Sequence, residues 1–195
     1  MQLNSLRLAK LWCLAALLFW SLALSGQMKP GIGGGSISLP RLQHKVPQKA
    51  QKAYFSAQTA WERKDSAKAA RMLESAISLD PGFFEAINNL GVMFLRLERL
   101  DDALRMFQRA TEIDGSDALA EANLSYALLA LHRNAEAEEA ARASLRGDPG
   151  SGRAHIYLAV SLLEQGKKRE EAIIHLKKAS GEFAEARALL ELAGK

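Results

Sequence analysis

At 195 residues, 48% of them apolar, the chain has material for the core of one ordinary domain, and disorder throughout is excluded. Its formal charge of +4 falls to +2 once the first 26 residues, which hold Arg7 and Lys10 and no acid, are set aside. That small excess is spread along the chain, so it offers no electrostatic footprint for nucleic acid.

The first element is an apolar run from Leu11 to Leu24, interrupted only by Ser21 and preceded by Arg7 and Lys10. It suits the core of a secretory signal and is shorter than the ~20 residues that cross a bilayer as a helix. Ala23 and Ser25 supply small residues before Gly26, so residues 1–26 read as a signal peptide cut near Ser25 or Gly26. An uncleaved membrane anchor is the alternative. Under both readings the basic flank stays inside and the remainder is exported, to the periplasm or beyond the cell. Cys13, the sole cysteine, belongs to this leader, which leaves the exported part without thiol chemistry.

Residues 27–46 follow, with the stretch KPGIGGGSISLP. A phosphate-cradling loop requires a strand before its glycines, a helix directly after them, and Lys followed by Ser or Thr. None of these is present, and the segment reads as a flexible linker.

From residue 47 to the end, many Ala, Leu, Glu, Lys and Arg residues and few β-branched runs predict an all-α domain. Shifted by 34 residues, it overlays itself. Ala57, Gly91, Ser125 and Ala159 keep that step, as do Leu90, Leu124 and Leu158. Ala69, Ala103 and Ala137 keep it too, with Ala172 one residue late, and Leu73, Phe107, Ala141 and Leu176 follow the same rule. Such a period means two helices per unit. Small residues let the paired helices approach, and the larger ones fill the space between. Asp80 before Pro81 and Asp148 before Pro149 read as caps of first helices, while Asp65 with Ser66, Asp101 with Asp102, and Asn134 read as starts of second helices. The units run about 50–83, 84–117, 118–151 and 152–181. Residues 182–195 form a terminal capping helix with Phe183, Ala186, Leu189 and Leu190 on one stripe, giving nine helices in all.

The order of small residue, Ala, aromatic and Ala at Gly91, Ala103, Phe107 and Ala110, closed by the turn at Gly115, resembles the tetratricopeptide repeat family over about residues 50–179. Two departures stand out. The family's early Trp is replaced by Ala53, Ile87, Glu121 and His155, and the fourth unit carries one extra residue between Lys167 and Glu171.

The resemblance implies a right-handed α-solenoid whose first helices line a concave groove for a peptide segment or helix of another protein. Carried over by repeat place, Tyr54 and Gln58 from the first unit and Asn88, Asn89 and Val92 from the second fall on or beside that groove. Ala122, Asn123 and Tyr126 follow from the third, and Arg153, Ile156 and Val160 from the fourth. Asn89 and Asn123 stand where peptide-clamping members present an amide to the ligand backbone, and a polar amide is expected to avoid a dry core. Tyr126, Ile156 and Val160 have the alternative of packing between units. With Tyr54 and Leu119 at places where clamps for a terminal carboxylate carry bases, that kind of clamp is disfavoured.

Catalytic chemistry has little to stand on. His44, His132, His155 and His175 show no helical ligand spacing; His155 and His175 can meet within one unit, with Glu171 a turn before, but no cysteine or third histidine joins them. Glu136, Glu138 and Glu139 form a solvated acidic face. The expectation is a non-enzymatic protein-binding module with no metal, no cofactor and no nucleic acid partner, and membrane association only if the leader is retained. A membrane-anchored assembly scaffold is the second reading.

Overall fold

The computed structural model describes residues 38–166 and 168–193. The expected signal peptide and the first part of the expected linker lie outside them. Among the described residues no helix is long and apolar enough to cross a membrane.

The described residues form ten helices in chain order: α1 (Leu39–Gln43), α2 (Gln48–Glu62), α3 (Ser66–Leu79), α4 (Phe84–Arg96), α5 (Leu100–Ile113), α6 (Ala118–Ala130), α7 (Asn134–Gly147), α8 (Gly152–Glu164), α9 (Arg169–Ala179) and α10 (Ala184–Ala193). The last nine are those expected from the repeat; α1 is additional. Each helix from α2 onward packs on the next, making a solenoid of four helical pairs and a closing helix. First helices also touch directly, α4 with α6 and α6 with α8, so α2, α4, α6 and α8 form the inner layer and the second helices the outer one.

The core lies between the layers, where the repeat's small residues sit. A Cβ added at Gly91 would come within 2.5 Å of the Phe107 ring, which is fully buried. In the next unit Ser125 takes the same place, and its hydroxyl donates to the Ala137 carbonyl at 2.8 Å, satisfying a buried polar group at a close helix crossing. Ala172 is buried like Ala69, Ala103 and Ala137, so the extra residue of the fourth unit is absorbed in the turn before α9 and core register is kept.

The turns differ from expectation in their chemistry. Asp80 and Asp148 do not cap the helices that follow: each closes the preceding second helix, and its side chain accepts from the backbone N–H two residues on, at Gly82 (3.1 Å) and Gly150 (3.0 Å). Asp114 does the same toward Ser116. These side chains hold a turn, because Asp accepts locally from its own backbone more readily than it reaches over a Pro-Gly pair. The true caps come later, with Asp117 accepting from Ala120 N–H and Ser151 from Ala154 N–H. Asp65 caps α3 through Lys68 N–H, as expected. Each unit's turn has a left-handed residue that recurs at the same period, Lys64, Glu98, His132 and Gly166, with φ between 58° and 66°, and the lengthened fourth turn adds a second at Lys168, φ 52°.

Residues 38–46 also depart from expectation. They carry α1 and lie against the solenoid through Arg41 and His44, where a flexible linker was anticipated. At the other end, α10 behaves as a cap: Ala186 and Leu189 are buried, and Arg169 at the start of α9 donates through Nε to the Ala193 carbonyl at 2.7 Å.

Candidate binding groove and the arm beside it

Successive first helices are stitched together by side-chain pairs 35 residues apart. The Asn89 amide donates to the Tyr54 hydroxyl at 2.9 Å, and the Asn123 amide donates to the Asn88 side-chain carbonyl at 3.1 Å. Two turns further along, the Arg96 guanidinium lies 3.9 Å from the centroid of the Trp61 ring, a cation–π stack with the same spacing. The step is one longer than the repeat because each residue meets a neighbouring helix at the next place along rather than its own equivalent.

This stitching decides where the expected groove residues stand. Asn88, Asn89 and Asn123 are buried, which corrects the expectation that they face solvent. The amides pair with each other and with a tyrosine, and these hydrogen bonds offset the desolvation that expectation weighed against burial. Val92, Ala122, Tyr126, Ile156 and Val160 are buried as well. The Tyr126 and Tyr157 rings lie 5.6 Å apart between α6 and α8, and burial pushes the Tyr157 phenol up to about 12. Toward the C-terminal end, then, the inner layer is sealed by inter-unit packing. Tyr54, Gln58 and Arg153 are only partly buried.

The N-terminal end is different. Between α2 and α4 a small apolar pocket opens, lined by Tyr54, Gln58, Trp61, Leu73, Asn89 and Met93 among others. Beside it stands Arg96, whose Nε is buried without a hydrogen-bond partner, and burial lowers its pKa from the ordinary value. A buried donor left unpaired is costly, and the face of Trp61 against the guanidinium offsets part of that cost. Sequence reasoning missed Trp61 and Arg96. A search for complementary residues 35 apart would have found them.

A second cluster lies at the turn edge of the same helices. Arg41 of α1 reaches three carboxylates: Nε and Nη2 donate to one Glu85 oxygen at 3.2 and 2.9 Å, Nη1 donates to Asp117 at 2.6 Å, and Asp114 lies 3.5 Å away. Its guanidinium sits 3.7 Å over the Phe84 ring. Burial works to lower the Arg41 pKa, and the carboxylates outweigh it and raise it instead. Burial likewise opposes ionisation of Asp114, but hydrogen bonds from Ser116 and Ser38 hold its carboxyl below the ordinary value. His44 pairs with Asp80 at 2.8 Å.

His155 and His175 do meet, Nδ1 to Nδ1 at 2.9 Å, with Glu171 3.9 Å from the far nitrogen of His175. Among the described residues no group of three or more metal-ligating side chains comes together.

The repeat pattern in this geometry has a counterpart in known sequences: the tetratricopeptide repeat profile matches residues 56–118 and 123–193, more than half of the chain. The chain belongs to the tetratricopeptide repeat family. Solved structures with a similar fold include MamA 41-end from Desulfovibrio magneticus RS-1, 18% identical with a TM-score of 0.70, covering 77% of this chain and 86% of that one. YrrB, described as a TPR protein with an unusual peptide-binding site, is 23% identical with a TM-score of 0.66, covering 73% and 74%. A chain of the Cut9–Hcn1 hetero-tetramer of the APC/C is 22% identical with a TM-score of 0.68, covering 75% of this chain and 30% of that one. At these identities the likeness is one of fold. As a tetratricopeptide solenoid, the chain presents its inner layer as the candidate binding face, and its N-terminal half is where that face remains open.

Proposed function

We propose that this chain is a non-enzymatic protein-binding module that takes an extended segment or helix of a partner against the first two units of its inner layer. The observation that carries the reading is the pocket between α2 and α4 with the unpaired Arg96 Nε beside it. The recess has room for about one water as it stands, so a partner's apolar side chain enters by moving the side chains that line it, while the Arg96 guanidinium donates to a backbone carbonyl or a carboxylate of the same segment. The peptide-binding site named for YrrB is consistent with this use of the fold. The leader makes the module an exported one, periplasmic or secreted, or held at the membrane and facing outward if residues 1–26 are retained.

The test starts from a partner captured in the native host and reduced to its binding segment. Trp61→Ala or Arg96→Gln should weaken that segment at least tenfold, since both remove a contact at the centre of the site. Glu139→Gln, exposed on an outer helix, should leave binding unchanged. If the inner-layer changes leave affinity intact while Glu139→Gln reduces it, the outer face is the working surface and the assembly-scaffold reading replaces this one. Mass spectrometry of the chain recovered from its host separates cleaved from anchored: a mature start near Gly26 or Gln27 establishes export without an anchor.

A further inference from the structure

We propose that Glu85, Asp114, Asp117 and the Phe84 ring form an arginine-recognition site for a peptide of a partner protein, occupied in this chain by its own Arg41. The proposal goes beyond the groove reading and does not rest on it.

The site is built by the solenoid and not by the arm that fills it. Asp117 is fixed as the cap of α6 by Ala120 N–H, and Asp114 by Ser116, whose hydroxyl donates at 2.6 Å. Glu85 and Phe84 belong to the first turn of α4. With the arm in place Asp114 and Asp117 are almost wholly buried, and taking Arg41 away would leave these two carboxylates and Glu85 side by side with no cation between them. The arrangement favours guanidinium over ammonium. One face stacks on an aromatic ring while the fork splits between two walls, Glu85 on one side and Asp117 on the other, a pattern that lysine's single point charge cannot satisfy.

The occupant, by contrast, is lightly held. Leu39 and Leu42 of α1 are 72% and 63% exposed, so the arm contributes little apolar burial. Its attachments are polar: Arg41 in the cradle, His44 to Asp80, and Ser38 N–H to Asp114 at 3.1 Å. A preformed, anionic, aromatic-floored site holding a segment by a few polar contacts is a site whose ligand can exchange. The arm competes from a short tether, at the high effective concentration that such a tether confers.

The probe is a labelled peptide with the sequence of residues 38–45, SLPRLQHK, followed by fluorescence anisotropy on the full chain. Arg41→Ala, checked for parent-like helicity, vacates the cradle and should bind the probe at least tenfold more tightly than the parent does. A probe with Lys in place of its Arg should bind Arg41→Ala at least tenfold more weakly, and so should the Arg probe offered to the Arg41→Ala, Glu85→Gln double variant. In the parent, excess argininamide should speed amide exchange at Ser38 and Leu42 while leaving the helices of the solenoid protected. Equal binding to parent and Arg41→Ala, a Lys probe as good as the Arg probe, or arm exchange indifferent to argininamide would each show that Arg41 is a fixed structural strut. The argininamide measurement uses the parent chain and decides the matter even if Arg41→Ala does not fold.

Discussion

Replacing Gly91 by Ala tests the packing logic of the whole solenoid at one atom. The added Cβ would meet three carbons of the Phe107 ring at 2.5, 2.8 and 2.8 Å, where ordinary contact needs about a further ångström. Phe107 is 0% exposed and has nowhere to retreat without moving α5 away from α4. Overpacking of this kind costs about 1–3 kcal/mol, and the gain from replacing a mid-helix glycine by alanine returns up to about 1 kcal/mol. The net expectation is a loss of roughly 1–2 kcal/mol, a fall of about 3–6 °C in Tm for a domain of this size. Thermal and urea unfolding followed at 222 nm would read it. Gly181→Ala is the control, since a Cβ there meets nothing within 4 Å and stability should stay within about 0.5 kcal/mol. Phe107→Leu removes the obstacle, so the double variant should be about 1 kcal/mol less destabilised than the sum of the two single changes. Gly91→Ala as stable as the parent, or strict additivity with Phe107→Leu, would refute the reasoning.

Three further outcomes follow from particular contacts. Asn123→Ala leaves the Asn88 carbonyl buried without its donor and should cost about 1–3 kcal/mol in urea unfolding, with the Asn88→Ala, Asn123→Ala double variant costing less than the sum. Glu98→Gly relieves a left-handed residue at φ 58° and should gain about 0.5–1 kcal/mol by the same measurement. Burial, chiefly, together with Lys178 depresses the pKa of both His155 and His175, and each folded imidazole favours its neutral form. The unfolded chain therefore binds more protons near its ordinary value of about 6.5, so this stability is complete above that pH and declines as pH falls from it through the folded values. Tm should drop more between pH 7.5 and 5 in the parent than in His175→Gln, and equal slopes would dismiss the pair as a source of acid sensitivity.

The architecture was legible because a repeat writes its core four times. Ala69, Ala103, Ala137 and Ala172 are each forced to be small by the same helix crossing, so self-comparison finds them, and even the late Ala172 is buried as its place requires. What joins one unit to the next was not legible in the same way. Tyr54 with Asn89, Asn88 with Asn123 and Trp61 with Arg96 pair unlike residues one step off the period, and a search for similarity at a fixed step passes over complementarity at another. The asparagines were misplaced for a related reason: an amide looks exposed while it is considered alone and becomes a core residue once its partner is known. The arm was hidden differently again. Glycine and proline nearby announced a linker, and the ordering of residues 38–46 rests largely on Arg41, a single charge with no period to betray it.

These observations divide the labour along the inner layer. Where α6 meets α8, tyrosines and aliphatic side chains fill the space between first helices, and changes there act on stability. Between α2 and α4 the filling is incomplete: the first unit offers Ala57 and the partly buried Gln58 and Trp61, leaving a recess and an arginine donor unpaired. The arm docks at the turn edge of α4 and α6, with Glu85 contributed by the helix that also forms one wall of the recess. A segment entering along α4 therefore meets an arginine donor at one end of that helix and, at the other, an acidic cradle that already holds a guanidinium. A partner combining an acceptor group, an apolar anchor and an arginine in that order would engage both ends, and its arginine would have to displace Arg41 to do so. Because one guanidinium then replaces another on the same carboxylates, salt screens both occupants alike, and the cradle end should add little salt dependence to the partner's binding.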